Sequence, residues 1–156
     1  MLKDGLERKD AIALNRREKK TLVKQGRSHG ILVYAGDQAV GWCQYGPKEE
    51  LPRIDSGRNY SKLDLPRDHG RKLWRLTCFF VDRDFRRRGV ARVALKAALD
   101  SIKKQGGGIV EAYPPTSKEG GSWALWFGTV AMYEREGFKA HAKLGEKHLL
   151  MRKTLA

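Results

Sequence analysis

The stretch Val81-Asp-Arg-Asp-Phe-Arg-Arg-Arg-Gly-Val-Ala91 carries the clearest chemistry in the chain. It follows the apolar run Lys72–Val81 and opens an amphipathic one. Backbone N–H groups at a helix start have no intrahelical partner, and with the helix dipole they form an anion site. Gly89 removes the side chain where a phosphate would approach the backbone, and Ala91 keeps the next turn low. Arg83, Arg86, Arg87, Arg88 and Arg92 add positive charge against one local acid pair, Asp82 and Asp84. The pattern suits a pyrophosphate. A solvated basic helix start accounts for the charge equally well.

The elements that must position this stretch follow from periodicity. Residues 6–25 read as a helix with a weak apolar stripe, Leu6, Ala13, Leu14 and Leu22. Residues 30–35 and 38–45 flank Gly36-Asp37, which predicts a hairpin with a two-residue turn. Residues 46–71, rich in Pro, Gly and charge, form a loop long enough to act as a lid or binding loop. Residues 72–81 are the strongest strand, and their apolar end fits a central position. Residues 89–105 form an amphipathic helix with Ala91, Leu95, Ala98 and Ile102 on one face, ended by Gly106-Gly-Gly108. A strand at 109–113 stops at Pro114-Pro115. Ser122 caps a helix from about Trp123 to Glu136, closed by Gly137. Residues 138–143 and 147–153 make a closing strand pair. Helix, hairpin, strand, helix, strand, helix and two strands together imply a mixed α/β (α+β) sheet with helices on its faces.

Composition narrows the class. The chain has 156 residues, 40% of them apolar, and fits one domain, 1–156. No run approaches the roughly 18 apolar residues of a membrane span, and residues 1–10 lack the apolar core of a secretory signal. Cys43 and Cys78 both sit in apolar strand contexts, so reduced buried thiols in a cytoplasmic protein are expected. No CxxC or HExxH pattern or His/Cys cluster predicts a metal. The 32 Lys+Arg against 18 Asp+Glu give a formal charge of +14. Such a field attracts nucleic acid, acidic membrane or a phosphorylated small molecule, without choosing among them.

Arg86-Arg-Arg-Gly-Val-Ala91 resembles the R/Q-x-x-G-x-G/A motif of the GNAT superfamily of N-acetyltransferases, and Met132-Tyr-Glu-Arg-Glu-Gly-Phe138 resembles its L-Y-x-x-x-G-F segment. The order and spacing of the two also match, over roughly residues 30–153. Gly41-Trp42-Cys43, Leu51-Pro52-Arg53 and Cys78-Phe79-Phe80-Val81 are similar to an uncharacterised bacterial branch. The resemblance implies a GNAT-like mixed, mostly antiparallel sheet with helices on both faces. The superfamily usually has a strand and one or two helices before the hairpin, whereas residues 1–29 supply only one helix, so either the first strand is absent or the chain is a shortened version. A partner subunit could cover the missing edge, which suggests a homodimer.

By the same resemblance the chain binds acetyl-CoA. The amides of Arg86, Arg87, Arg88, Gly89, Val90 and Ala91 would hold the pyrophosphate. Phe79, Phe80 and Val81 would pair with the pantetheine arm like an added strand. Arg87, Arg88 and Arg92 are candidates for the ribose phosphate. Tyr133 is implied as the general acid for the leaving thiolate, or alternatively packs in the core, and a backbone N–H near Val81 is implied as the oxyanion donor. Glu111 could act as base, directly or through a water; alternatively it is a carboxylate paired with an arginine. His69 is another possible base. Trp42, Tyr45 and Trp123 would border the acceptor amine, as Trp126 and Phe127 could; all five could instead pack. Glu49, Glu50 and Asp55 could recognise a cationic substrate. Trp126 stands where many members carry a cofactor-contacting Asn. Two other readings remain: a basic nucleic-acid-binding module, and a GNAT fold that binds acetyl-CoA without chemistry.

Overall fold

The computed structural model describes residues 7–65, 68–116 and 126–156. The chain runs α1 (Arg8–Lys24), β1 (His29–Ala35), β2 (Gln38–Pro47), β3 (Leu73–Val81), α2 (Val90–Lys104), β4 (Gly108–Ala112), α3 (Val130–Arg135), β5 (Lys139–Leu144) and β6 (His148–Leu155). The strands form one sheet in the order β1-β2-β3-β4-β6-β5. Only β3 and β4 are parallel. This is the mixed, mostly antiparallel sheet that the resemblance implied, with β3 central.

The β1–β2 hairpin closes through Gly36-Asp37, with Ala35 opposite Gln38 and Gly36 at φ +58°. That left-handed backbone is what a two-residue hairpin turn asks for. Alternation along β2 sends Gly41, Cys43 and Tyr45 to one face and Trp42 to the other. On the first face lies α2. Its Val90 side chain fills the space over Gly41, where any Cβ would lie 2.4 Å from Val90 Cγ1. The Tyr45 hydroxyl meets Ser101 Oγ of α2 at 2.6 Å. Across the sheet, Lys19 of α1 sits 5.8 Å from the Trp42 ring. Helices therefore cover both faces.

The stripe Ala94, Leu95, Ala98, Leu99 and Ile102 of α2 is buried against Trp74, Leu76, Phe79, Val110, Ala112 and Met151. Truncating Leu95 or Ile102 to Ala would cost about 2–5 kcal/mol.

Two local features make an opening in the sheet. The β3–β4 pairing lasts only from Leu73/Ile109 to Arg75/Glu111. Beyond it, β4 ends at Ala112 and runs into Pro114 and Pro115, which have no N–H to donate. On the other side of β3, Gln44 faces Cys78 while Tyr45 faces Leu76, so Thr77 is an extra, bulged residue. A bulge bends its strand and reverses which side chains point to which face. Phe79 thereby joins the same core as Leu76.

The last helix departs from the sequence expectation. It starts at Val130, with Thr129 as its cap accepting from the Met132 N–H at 3.1 Å. Gly128, at φ +76°, interrupts the run before it. The expected cap Ser122 lies outside the described residues.

Candidate active site

The first cavity, about 360 Å³, opens where β3 outruns β4. Phe79, Phe80 and Val81 form one wall, Arg86, Arg87 and Ala91 another, and Trp126, Gly128 and Thr129 close it. The Asp82 N–H donates to Val40 O of β2 at 2.8 Å. By strand alternation, the N–H and C=O of Phe79 and Val81 then point the other way, into the gap. An extended chain could add to this free edge. Phe80 and Trp126 line the same opening while 50% and 51% exposed.

The turn leading to α2 is built around Asp82, whose carboxylate accepts from the Asp84 N–H at 2.9 Å. Arg86 Nε reaches back to Val81 O at 3.5 Å. Arg87 and Gly89 both have left-handed backbone, at φ +62° and +77°. The first bond of α2 runs from the Val93 N–H to Gly89 O. The N–H groups of Val90, Ala91 and Arg92 are thus free at the helix mouth, and no acid occupies the first turn. A Cβ on Gly89 would meet nothing within 4 Å, so the approach to these amides is open. The residues present fit a diphosphate.

The arginines divide. Arg86 and Arg87 line the cavity. The Arg88 guanidinium lies over the Phe85 ring at 5.3 Å, and Arg92 Nε is paired with Glu136 Oε1 at 3.0 Å. Neither is among the residues lining the cavity.

A second cavity, also about 360 Å³, adjoins the first. Phe127 belongs to its wall while Trp126 and Gly128 belong to the first, so this short segment separates the two. Thr77, Tyr113 and His148 come from the sheet, and Ile54, Arg58 and Tyr60 from the long loop. Burial, then the charge of Lys147, lowers the His148 pKa and favours its neutral ring.

The loop is anchored beneath this cavity by a polar network. Arg75 and Glu111, opposite each other in β3 and β4, are both fully buried. Arg75 makes two hydrogen bonds to the Asp55 carboxylate, at 2.7 and 2.9 Å, and one to Leu51 O at 2.9 Å. Glu111 accepts from Tyr60 at 2.9 and 3.0 Å, from Tyr113 at 2.8 Å, and from Arg152 at 2.6 and 3.1 Å. Arg152 also reaches Asp68 at 3.3 Å. Burial alone would lower the Arg75 pKa, but its hydrogen bond to Asp55 and its other neighbours raise it on balance. The hydrogen bond to Arg75 in turn depresses the Asp55 carboxyl despite its burial.

Tyr133 is fully buried, and its ring meets Phe79 and Phe138 edge-on. Its hydroxyl donates to Phe127 O at 2.8 Å, directly beneath Gly128. Burial, then the nearby Cys43 and Cys78 thiols, pushes its pKa well above the ordinary 10.0. The phenol therefore keeps its proton at neutral pH.

Tyr60 and Tyr113 are raised too, first by burial and then by the Glu111 charge. A phenol whose folded pKa exceeds its unfolded value near 10.0 stabilises the fold below that pH. That contribution is lost as pH climbs from about 10 towards the folded values. We expect alkaline unfolding to begin just above pH 10, with these three tyrosines ionising only as the fold opens. Tyrosinate absorbance and circular dichroism should then rise and fall together. Early ionisation of all three in a folded protein would contradict this.

Several sequence expectations need correction. Tyr45 does not border an acceptor: it is buried, hydrogen-bonded to Ser101 and packed between His29 and Trp74. Its place in β2 turns it towards α2. Trp42 faces α1 instead, and lines neither cavity. Glu111 is the arginine-paired carboxylate of the two alternatives raised for it. Glu50 is hydrogen-bonded to His29 at 2.8 Å, Asp55 is paired with Arg75, Glu49 is exposed, and none of the three lines either cavity. His69 is exposed and lines neither cavity. Trp123 lies outside the described residues. Cys43 and Cys78 are free thiols, the first buried and the second half-buried.

Sequence reasoning missed Arg75, Arg152, Tyr60, Tyr113 and His148. One signal was present: Arg75 interrupts an otherwise apolar central strand, and a buried arginine requires a carboxylate.

The sequence model of the acetyltransferase (GNAT) family matches residues 4–138. Among solved structures, the ribosomal-protein-alanine N-acetyltransferase of Brucella melitensis is similar at TM-score 0.60 and 18% identity, covering 91% of this chain and 78% of that one. The ribosomal-protein-S18-alanine N-acetyltransferase of Escherichia coli is similar at TM-score 0.55 and 16% identity, covering 97% and 91%. An N-acetyltransferase of Thermoplasma acidophilum in complex with coenzyme A is similar at TM-score 0.57 and 11% identity, covering 96% and 80%. At such identities these likenesses show the fold alone. No curated protein matches the sequence significantly. The family match spans most of the chain, including both the arginine–glycine turn and the Tyr133 segment, and the chain belongs to the GNAT family of acetyltransferases.

Proposed function

We propose that the protein transfers an acetyl group from acetyl-CoA to a primary amine by direct attack in a ternary complex. One observation carries the reading. The free edge of β3 leads from an amide cradle at α2 to a second cavity behind Phe127. A donor and an acceptor can thus be held at once, each in its own cavity, with their reactive ends at the strand gap.

The amides of Val90 and Ala91, with Arg86 and Arg87, hold the diphosphate. The edge groups of Phe79 and Val81 hold the arm as an added strand. The amine nitrogen, entering neutral from the second cavity, attacks the thioester carbonyl carbon. A C–N bond forms, and the carbonyl oxygen gains charge that an edge N–H at Phe79 or Val81 can stabilise. The C–S bond then breaks. The nitrogen gives up one proton to solvent water, the sulfur gains one, and solvent returns a proton to the group that supplied it, so the products are the amide and the free thiol.

Tyr133 supplies the proton to sulfur in this reading. Its burial keeps the phenol protonated, and its hydroxyl lies beneath the wall residue Gly128. A thiolate would compete with the neutral Phe127 carbonyl for that proton, since a charged acceptor makes the stronger hydrogen bond. Glu111 has no place as base here, because four side chains already surround it.

The test is calorimetric titration of acetyl-CoA, followed by a thiol-release assay over an amine panel for wild type and Tyr133→Phe. We expect binding, release with an amine present, and a kcat about 100-fold lower in the variant at unchanged KM for acetyl-CoA. A variant with a lower melting temperature but wild-type kcat would leave Tyr133 as wall support only. Absence of acetyl-CoA binding to folded wild type would overturn the reading.

A further inference from the structure

The second cavity carries information about what enters it. Its walls are mainly apolar and aromatic, from Ile54, Tyr60, Tyr113, Phe127 and Leu144, with the neutral polar groups of Asn59, Thr77 and His148 among them. No carboxylate lines it among the described residues. The nearest buried one, Glu111, lies behind Tyr60 and Tyr113, and both hydroxyls donate to it. Its charge is met by Arg152 at 2.6 Å, with Arg75 at 3.8 Å. Nothing of that negative charge is offered to a ligand. The loop acids Glu49, Glu50 and Asp55 do not line the cavity, and Asp55 is paired with Arg75.

Among the described lining residues, the one fully charged side chain is Arg58, which is exposed and forms no ion pair with any described residue. An unpaired guanidinium at an apolar cavity is a receptor for a carboxylate or similar anion. The surrounding field has the same sign, since the chain carries a formal +14. A polyamine or lysine-rich peptide would meet repulsion, with no acid among the described residues of the lining to compensate it. A cavity of about 360 Å³ suits a small body of one ring or a branched chain.

Resting on the acetyl-transfer reading for its chemistry, we propose that the acceptor is a small primary amine with an aromatic or branched apolar body and an anionic group away from the amine. Phe127, Tyr60, Tyr113 and Leu144 hold the body. Arg58 holds the anion and sets specificity.

Three amines of one shape separate the possibilities: para-(aminomethyl)benzoate, benzylamine and para-xylylenediamine. They carry a carboxylate, nothing or an ammonium at the far end. Thiol release is measured with each, for wild type, Arg58→Ala and Arg58→Glu. In parallel, the matching N-acetyl products are titrated into the CoA-loaded protein. We expect kcat/KM to fall in the order carboxylate, neutral, ammonium. The preference for carboxylate over neutral should shrink about fivefold in Arg58→Ala, the scale of one partly solvated ion pair, and reverse in Arg58→Glu. Equal rates for all three, or a preference for the diamine, would overturn the proposal. If no amine is acetylated but the carboxylate product binds in an Arg58-dependent way, the acceptor class stands and the transfer reading falls. If CoA binds while no amine reacts and no product binds, the acceptor class is wrong.

Discussion

Gly89→Glu should weaken acetyl-CoA binding by at least about 100-fold while leaving the protein folded, a loss of about 2.7 kcal/mol in binding free energy. The position has left-handed backbone at φ +77°, so any L side chain there costs roughly 1–2 kcal/mol of stability. That fits within the roughly 5–15 kcal/mol that holds an ordinary domain together. The added carboxylate would sit at the mouth of the free Val90 and Ala91 amides, where it opposes a diphosphate and can occupy the helix terminus itself. Gly89→Ala is the matched control. Its Cβ meets no atom within 4 Å, so it carries the backbone cost without charge or bulk. Calorimetry should show near wild-type affinity for the alanine variant and none measurable for the glutamate. Equal affinities in all three proteins would mean that the diphosphate lies elsewhere.

Glu111→Ala should be the most destabilising single change in the site. It leaves Arg152 with only Asp68 and Arg75 with only Asp55 as carboxylate partner, and it strips the acceptor from the Tyr60 and Tyr113 hydroxyls. Removing one member of a buried ionic network costs about 3–5 kcal/mol. For a chain of this length that lowers the melting temperature by roughly 10 °C, at about 2–4 °C per kcal/mol. Glu111→Gln distinguishes a structural hub from a catalytic base. A hub variant melts early and shows a raised KM for the amine, because the Tyr60 and Tyr113 walls loosen. A base variant would keep the wild-type melting temperature and KM, and would lose kcat and its acid limb in the pH profile. We expect the first pattern.

Both expectations rest on parts of the molecule that differ in how openly the sequence displays them. The order of elements was readable because amphipathic periods of two and 3.6 are local properties. Six strands and three helices appear at the expected places, with boundaries displaced by a residue or two except at α3. There the pattern Trp123–Glu136 looked continuous, yet Gly128 breaks the run and Thr129 caps what remains. The cradle was also legible, because an anion site at a helix start needs only contiguous residues: an apolar strand, arginines, a glycine and the next turn.

What the sequence could not separate were residues of the same type with different partners. Arg87 lines the cavity while Arg88 and Arg92 turn to Phe85 and Glu136, and only the packing of α2 against its neighbours decides between them. Trp42 and Tyr45 lie three positions apart in one strand, and strand alternation sends them to opposite faces, away from both cavities. Glu111 had been open between base and ion pair. Its pairing is made by Arg152, 41 positions later, and by Tyr60 in a loop that carries no periodic signal. The sequence by itself thus determined the order of elements, the GNAT resemblance and the anion cradle, because these depend on neighbours along the chain. Tertiary structure alone decided the second cavity, because its walls come from the loop after β2, the bulge in β3 and the start of β6. Distant segments meet there through burial and ion pairing, which leave no spacing to read.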